Sequence, residues 1–137
     1  MTDENVGSEF HEGEDVRDLS VLRDRLIAKL GDKTYEVLWG VFIDKDDKLK
    51  AIEQLAVGDD STVAADNDLV IGRAKAHGVR KFAVLHNHPR GRASPSLNDV
   101  MVSISLLMEA HQEGLQLVDS LVVNNRHVGS IRHGTYL

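Results

Sequence analysis

Four apolar residues, Phe82-Ala83-Val84-Leu85, run directly into His86-Asn87-His88-Pro89, and this junction constrains the chain more than any other stretch. A short continuous apolar run bounded by polar residues is the pattern of a buried strand. Side chains at i and i+2 of a strand point to one side, so His86 and His88 at its end aim two imidazoles at one point while Asn87 faces away. Proline has no N–H for the ladder, so Pro89 ends the strand. Residues 86–95 then read as a polar loop holding both prolines of the chain, Pro89 and Pro95. Ser96 is a good N-cap for a helix over 97–113, which puts Asp99 at the third helical position, in the first turn. A helix that starts against the strand's end returns that carboxylate to the two imidazoles.

Two histidines and one carboxylate, with water in the fourth position, make an open tetrahedral zinc site. Such a site acidifies water and polarises a carbonyl. Each piece alone has a plainer reading. Exposed loop histidines are common, and Ser96-x-x-Asp99 also fits a capping box. The combination points to a metal: an apolar strand delivers the imidazoles, a proline-bounded loop turns the chain, and a helix start delivers the carboxylate. Ser96 can serve twice, since a hydroxyl beside a metal can also donate to a developing oxyanion.

The flanking patterns predict the rest of the domain. Leu19, Leu22, Leu26, Ile27 and Leu30 recur at helical spacing over 18–30, with Gly31 placed as a C-terminal glycine cap. Strands follow at 35–44 and 49–57, joined by a turn at 45–48. Residues 58–62 read as a loop, and a helix spans 66–77 ahead of Gly78. After the long helix come strands at 116–123 and 128–132, with a turn at 124–127. The order α-β-β-α-β-α-β-β predicts a mixed α/β class: one domain, a mixed sheet flanked by helices.

With 137 residues and 42% apolar content the chain can bury a real core. It has no cysteine, which excludes disulfides, thiolate zinc ligands and a cysteine nucleophile. No signal-like start and no apolar run of membrane-spanning length is present, so the expected location is cytoplasmic. The net charge of −6 resides entirely in residues 1–18, which hold seven acids and one base. Residues 1–17 are expected to form a disordered acidic tail and 18–137 the domain. Residues 69–98 carry Arg73, Lys75, Arg80, Lys81, Arg90 and Arg92 and no acid, a stretch that could face an anionic partner or simply be solvated.

His86-x-His88, seven intervening residues, Ser96 and then Asp99 also match the motif of the JAMM/MPN+ metalloproteases. The flanks His86-Asn87-His88-Pro89-Arg90-Gly91 and Pro95-Ser96-x-x-Asp99 resemble the RadC-like branch of that JAB-domain superfamily. Tyr35-Glu36-Val37 through Phe42-Ile43-Asp44 resembles the branch's early strand, in which a glutamate lies eight residues before an aspartate. The resemblance implies a cytidine-deaminase-like architecture and a zinc ion bound by His86, His88 and Asp99. It implies peptide or isopeptide hydrolysis by a zinc-activated water, with Glu36 as general base and Ser96 steadying the tetrahedral intermediate. Glu53, on the next strand, is the rival to Glu36. The chain departs from the branch at Asp66-Asn67-Asp68, where a histidine-proline pair is frequent, at Asp119-Ser120, where an Asp-His pair is frequent, and at Arg90, where a serine is usual. An acidic segment stands where a helix-hairpin-helix region commonly precedes the domain. The expected partner is a peptide or protein substrate, anionic or extended. A neutral body gives little attraction to duplex DNA. Two other readings stay open: a DNA-repair-associated or nucleic-acid-processing protein, and a non-catalytic MPN-like interaction module.

Overall fold

The architecture follows from which strands are apolar on both faces. A computed structural model describes residues 9–58 and 66–137 of the chain. In β1 (Val37–Ile43) every residue is buried, and β3 (Lys81–Asn87) is nearly so. These two strands lie side by side in the interior of a six-stranded sheet ordered β2-β1-β3-β4-β5-β6, where β2 is Leu49–Val57, β4 Gln116–Val123, β5 Val128–Ser130 and β6 Thr135–Tyr136. All pairings are antiparallel except β3 with β4. A parallel pair needs a crossover, and α3 (Leu97–Gln112) provides it. The class is the expected one: a single mixed α/β domain.

Alternation along the strands sorts the core into two layers. Val37, Trp39 and Val41 of β1, with Ala83 and Leu85 of β3, pack under Leu22, Leu26 and Leu30. Leu38 and Phe42, with Phe82 and Val84, pack on the other face under α2 (Asn67–Ala76) and α3, through Val70, Ala74, Leu106 and Ala110. His86 continues the parity of Phe82 and Val84, so it emerges on the α2/α3 face.

Several expectations change. The first helix is divided: a 3₁₀ turn over Leu19–Leu22, capped by the Asp18 side chain on Ser20 N, leads into α1 at Arg23–Leu30. Gly31 is not a left-handed cap, because its φ is −63°. It is needed for close approach, since a Cβ there would lie 2.9 Å from the Asn125 backbone. Tyr35 and Glu36 precede β1 instead of belonging to it. β5 stops at Ser130, and the chain turns back to add β6, which the pattern did not reveal.

The largest correction concerns the acidic tail. Residues 1–8 and 59–65, which include most of the loop expected at 58–62, lie outside the described residues, but residues 9–17 are docked on the body, not disordered. Gly13 N donates to Leu49 O at 2.7 Å, Leu49 N to Glu14 O at 2.8 Å and Val16 N to Asp47 O at 2.9 Å. Phe10 is buried edge-on against Trp39, ring centroids 6.3 Å apart, with the Arg25 guanidinium 5.4 Å from its own centroid. Glu14 accepts two hydrogen bonds from Arg25, at 2.7 and 2.9 Å. The reason is non-local: one phenylalanine and one valine are too few to order a peptide alone, but β1, β2 and α1 present their partners together.

The basic stretch is also altered by folding. Arg73 pairs with Glu53, Lys75 with Glu113 and Lys81 with Asp47. These three cations therefore serve intramolecular ion pairs. Among the described residues no helix is long and apolar enough to cross a membrane.

Candidate metal centre

The end of β3 and the start of α3 meet on the α2/α3 face, and their meeting brings three side chains together. His86 Nε2 and His88 Nε2 are 3.1 Å apart. Asp99 presents one carboxylate oxygen to each imidazole, Oδ1 to His86 and Oδ2 to His88, both at 3.2 Å. Among the described residues these three form the group of histidine and carboxylate side chains able to hold one ion. Ligands at about 2.05 Å from a tetrahedral ion are separated by about 3.3 Å, close to the separations found.

Local structure fixes two of the three ligands. Ser96 Oγ accepts from Asp99 N at 3.1 Å, and Asp99 Oδ2 accepts from Ser96 N at 2.7 Å, a complete capping box. The plain and the functional readings of Ser96-x-x-Asp99 thus coexist: the cap pins Asp99 while leaving Oδ1 directed at His86. Capping uses a lone pair of Ser96 Oγ and leaves its O–H to donate. His88 is held twice, by its N–H to Val123 O at 2.8 Å and by Nδ1 to Arg92 O at 2.8 Å. A carbonyl only accepts, so Nδ1 carries a proton: the neutral ring leaves Nε2 bare for a metal, and the protonated ring donates from Nε2 to Asp99 Oδ2. The neutral tautomer, with a carbonyl behind the ring, is the arrangement of a metal-binding imidazole. The donor set and its orientation fit zinc.

Electrostatics follow. The hydrogen bond it donates to Asp99 raises the pKa of His88 against the effect of burial, helped by Arg92 O and by the charges of Asp99 and Glu36. Burial pushes the Asp99 carboxyl up, but His86, His88 and Ser96 N together outweigh it and hold the group well below the usual carboxylate range. The site keeps a carboxylate anion at any ordinary pH.

A cavity of about 390 Å³ opens beside the three ligands. Glu36, Ser96 and Arg90 line it together with the three ligands. Val70, Leu106 and Ile131 supply apolar wall, and the hydroxyls of Ser103 and Ser120, also on the lining, are 2.7 Å from one another. Glu53 lies elsewhere. It sits across from Gly40 and is engaged by Arg73 at 2.6 Å and His77 at 3.2 Å. Burial alone would raise its pKa, but these two partners leave it lowered.

Two residues that shape the site were missed in the sequence. Asn87, nearly inaccessible, accepts from Val37 N at 2.8 Å through Oδ1 and donates to Tyr35 O at 2.9 Å through Nδ2. The residue between the histidines therefore grips the backbone on both sides of Glu36. Gly129 lies under the ligand loop, where a Cβ would fall 2.1 Å from Ala93 O. A glycine inside a strand is a signal of close backbone approach and could have identified it. Nothing local identifies what Asn87 binds.

Residues 16–136 match the sequence profile of the RadC-like JAB domain family. The chain is 28% identical over 113 residues to a UPF0758 protein of Latilactobacillus sakei, covering 82% of this chain and 50% of that one. It is 31% identical over 108 residues to a UPF0758 protein of Burkholderia cenocepacia, covering 79% and 40%. A UPF0758 protein of Nitrosomonas eutropha is 29% identical over 125 residues, covering 91% and 56%. The chain thus spans about half the length of the curated relatives it matches.

Proposed function

Because the chain belongs to the RadC-like JAB domain family, we propose that it is a zinc-dependent hydrolase of peptide or isopeptide bonds, with zinc held by His86, His88 and Asp99. The observation that carries this reading is the convergence of two imidazoles and a carboxylate on a cavity whose wall also holds a buried glutamate. Zinc bound there would polarise the substrate carbonyl and make water acidic enough to attack near neutral pH. The chain's own groups do the rest. A Glu36 carboxylate oxygen takes a proton from the attacking water as the new C–O bond forms, then gives it to the amine nitrogen as the C–N bond breaks. Asn87 holds the backbone on either side of Glu36, so the carboxylate keeps its place through both transfers. The Ser96 O–H donates to the oxygen that gains negative charge. Arg90, on the lining of the cavity, suits an anionic group on an extended peptide through its paired N–H donors.

The test uses protein purified without a histidine tag. Metal analysis should find one zinc per chain. The zinc-loaded protein is then incubated with peptide-linked and isopeptide-linked substrates, beside single- and double-stranded DNA. Zinc-dependent cleavage of an amide bond, reduced about 10²–10⁴-fold in Glu36→Gln with zinc retained, is the expected result. Zinc-dependent cutting of DNA alone, lost in the same variant, would replace this reading with the nucleic-acid one.

A further inference from the structure

Behind the three ligands the cavity wall carries two hydroxyls that the hydrolytic steps do not use. Ser120 of β4 pairs with Val84 of β3, two residues before His86, so it lies on the same face of the sheet, about 7 Å behind the imidazole. Ser103 lies one helical turn beyond Asp99 on α3, about 6 Å along its axis. As the crossover, α3 runs opposite to β3 and β4, so both steps lead in one direction, away from the ligands. They bring the two Oγ atoms to 2.7 Å from one another. The pair's neighbours on the lining are apolar: Val84 beside Ser120 on the sheet, Leu106 three residues on from Ser103, and Ile131, whose N–H donates to Ser120 O at 3.0 Å.

Each hydroxyl has one proton and two lone pairs. One proton is engaged between the two oxygens, so the pair retains one O–H to donate and lone pairs to accept. Ser120 is only 6% exposed, so this capacity is held on the cavity wall. The matching group donates and accepts from neighbouring atoms, as a carboxamide does: its oxygen takes the free O–H and its NH₂ donates to an Oγ. A carboxylate has nothing to donate, and it brings an uncompensated charge against apolar wall. A thioether leaves the O–H unpaired. Depth selects the length. A glutamine carboxamide ends up to about 5 Å from its own Cα, and a hydrogen bond adds about 3 Å, enough to span the roughly 6–7 Å between the ligands and the hydroxyl pair. A serine or threonine hydroxyl ends only about 2.4 Å from its Cα and falls short. We propose that this part of the cavity is a subsite for a carboxamide side chain, in which Ser103 and Ser120 select glutamine over residues of similar size. Its place beside the scissile amide rests on the hydrolase reading above.

The test is binding, followed on the methyl signals of Val84, Leu106 and Ile131 in the 137-residue chain without zinc. The probes are the N-acetyl, N-methylamide derivatives of glutamine, glutamate and methionine. Glutamate matches glutamine in shape and methionine in length, so the ratios of their dissociation constants report on the hydroxyl pair. Probes this small should bind in the millimolar range, with glutamine about 10-fold tighter than either of the others. A single Ser→Ala change keeps one O–H, so the informative variant is Ser103→Ala with Ser120→Ala. It removes both partners of one hydrogen bond and leaves neither orphaned, so its melting temperature should stay near the parent's. Its preference for glutamine over methionine should fall to about 2-fold or less, with the methionine probe bound as before. A purely structural role would weaken all three probes alike. Equal affinities in the parent, a preference unchanged in the double variant, uniform weakening, or methyl signals that no probe moves would each overturn the proposal. Failure of the zinc-loaded chain to cleave any peptide is a separate result, which would overturn the hydrolase reading and leave this comparison readable.

Discussion

Replacing Asn87 by alanine separates the placement of Glu36 from the binding of metal. The amide makes two hydrogen bonds in a site with almost no solvent access, to Val37 N at 2.8 Å and Tyr35 O at 2.9 Å. Asn87→Ala leaves one backbone donor and one acceptor buried without their partner. Each such group costs about 1–3 kcal/mol, and partial relaxation of residues 35–37 toward solvent lowers the sum to about 2–4 kcal/mol. At roughly 3–4 °C per kcal/mol for a domain of this size, the melting temperature should fall by about 10 °C. Asn87 faces away from His86 and His88, so zinc affinity should change by less than about threefold, whereas amide hydrolysis should fall at least about tenfold as Glu36 loses its anchors. Urea unfolding measures the first quantity, titration against a chromophoric chelator the second, and turnover at saturating zinc the third. A stability loss under about 0.5 kcal/mol with unchanged turnover would refute the reasoning, as would zinc affinity and turnover falling together.

The docked N-terminal segment should contribute measurably: Phe10→Ala loses an edge-on aromatic contact and a cation–π contact and should cost about 3 kcal/mol in urea unfolding, where a change below 0.5 kcal/mol would show the segment to be dispensable. The Arg25 hydrogen bond holds the Glu14 pKa below its ordinary 4.5, so the folded state binds that proton less readily than the unfolded chain. The pair's stabilisation, about 1 kcal/mol, is therefore complete above pH 4.5 and disappears as pH falls through the lowered value. The difference in stability between parent and Glu14→Gln, measured by urea unfolding from pH 7 to pH 3, should shrink toward the acid end; a constant difference would contradict the sign. Gly129→Ala drives a methyl group into the Ala93 carbonyl and must displace the loop that carries His88 and Ser96, so zinc affinity should drop at least about tenfold by chelator competition, and an unchanged affinity would show that the loop yields without moving its ligand.

What the sequence determined by itself is whatever depends on period and spacing. The apolar run before His86 specified a buried strand, the i, i+2 rule put both imidazoles on one side of it, and Ser96-x-x-Asp99 specified a helix start with its carboxylate in the first turn. These are rules of neighbouring residues, and the convergence of His86, His88 and Asp99 was legible for that reason, as was the mixed α/β class. The family motif added Glu36 as a candidate, but spacing alone left Glu53 equal to it. Only tertiary structure distinguished their surroundings: Arg73 and His77 from α2 and its end engage Glu53, while Asn87 from β3 fixes the segment that places Glu36 on the cavity wall. The same holds for the acidic segment, whose composition argued for disorder until Trp39, Arg25 and the β1–β2 turn supplied partners far away in sequence. Composition measures what a segment can bury alone, and a docked segment is ordered by surface that the rest of the fold assembles for it.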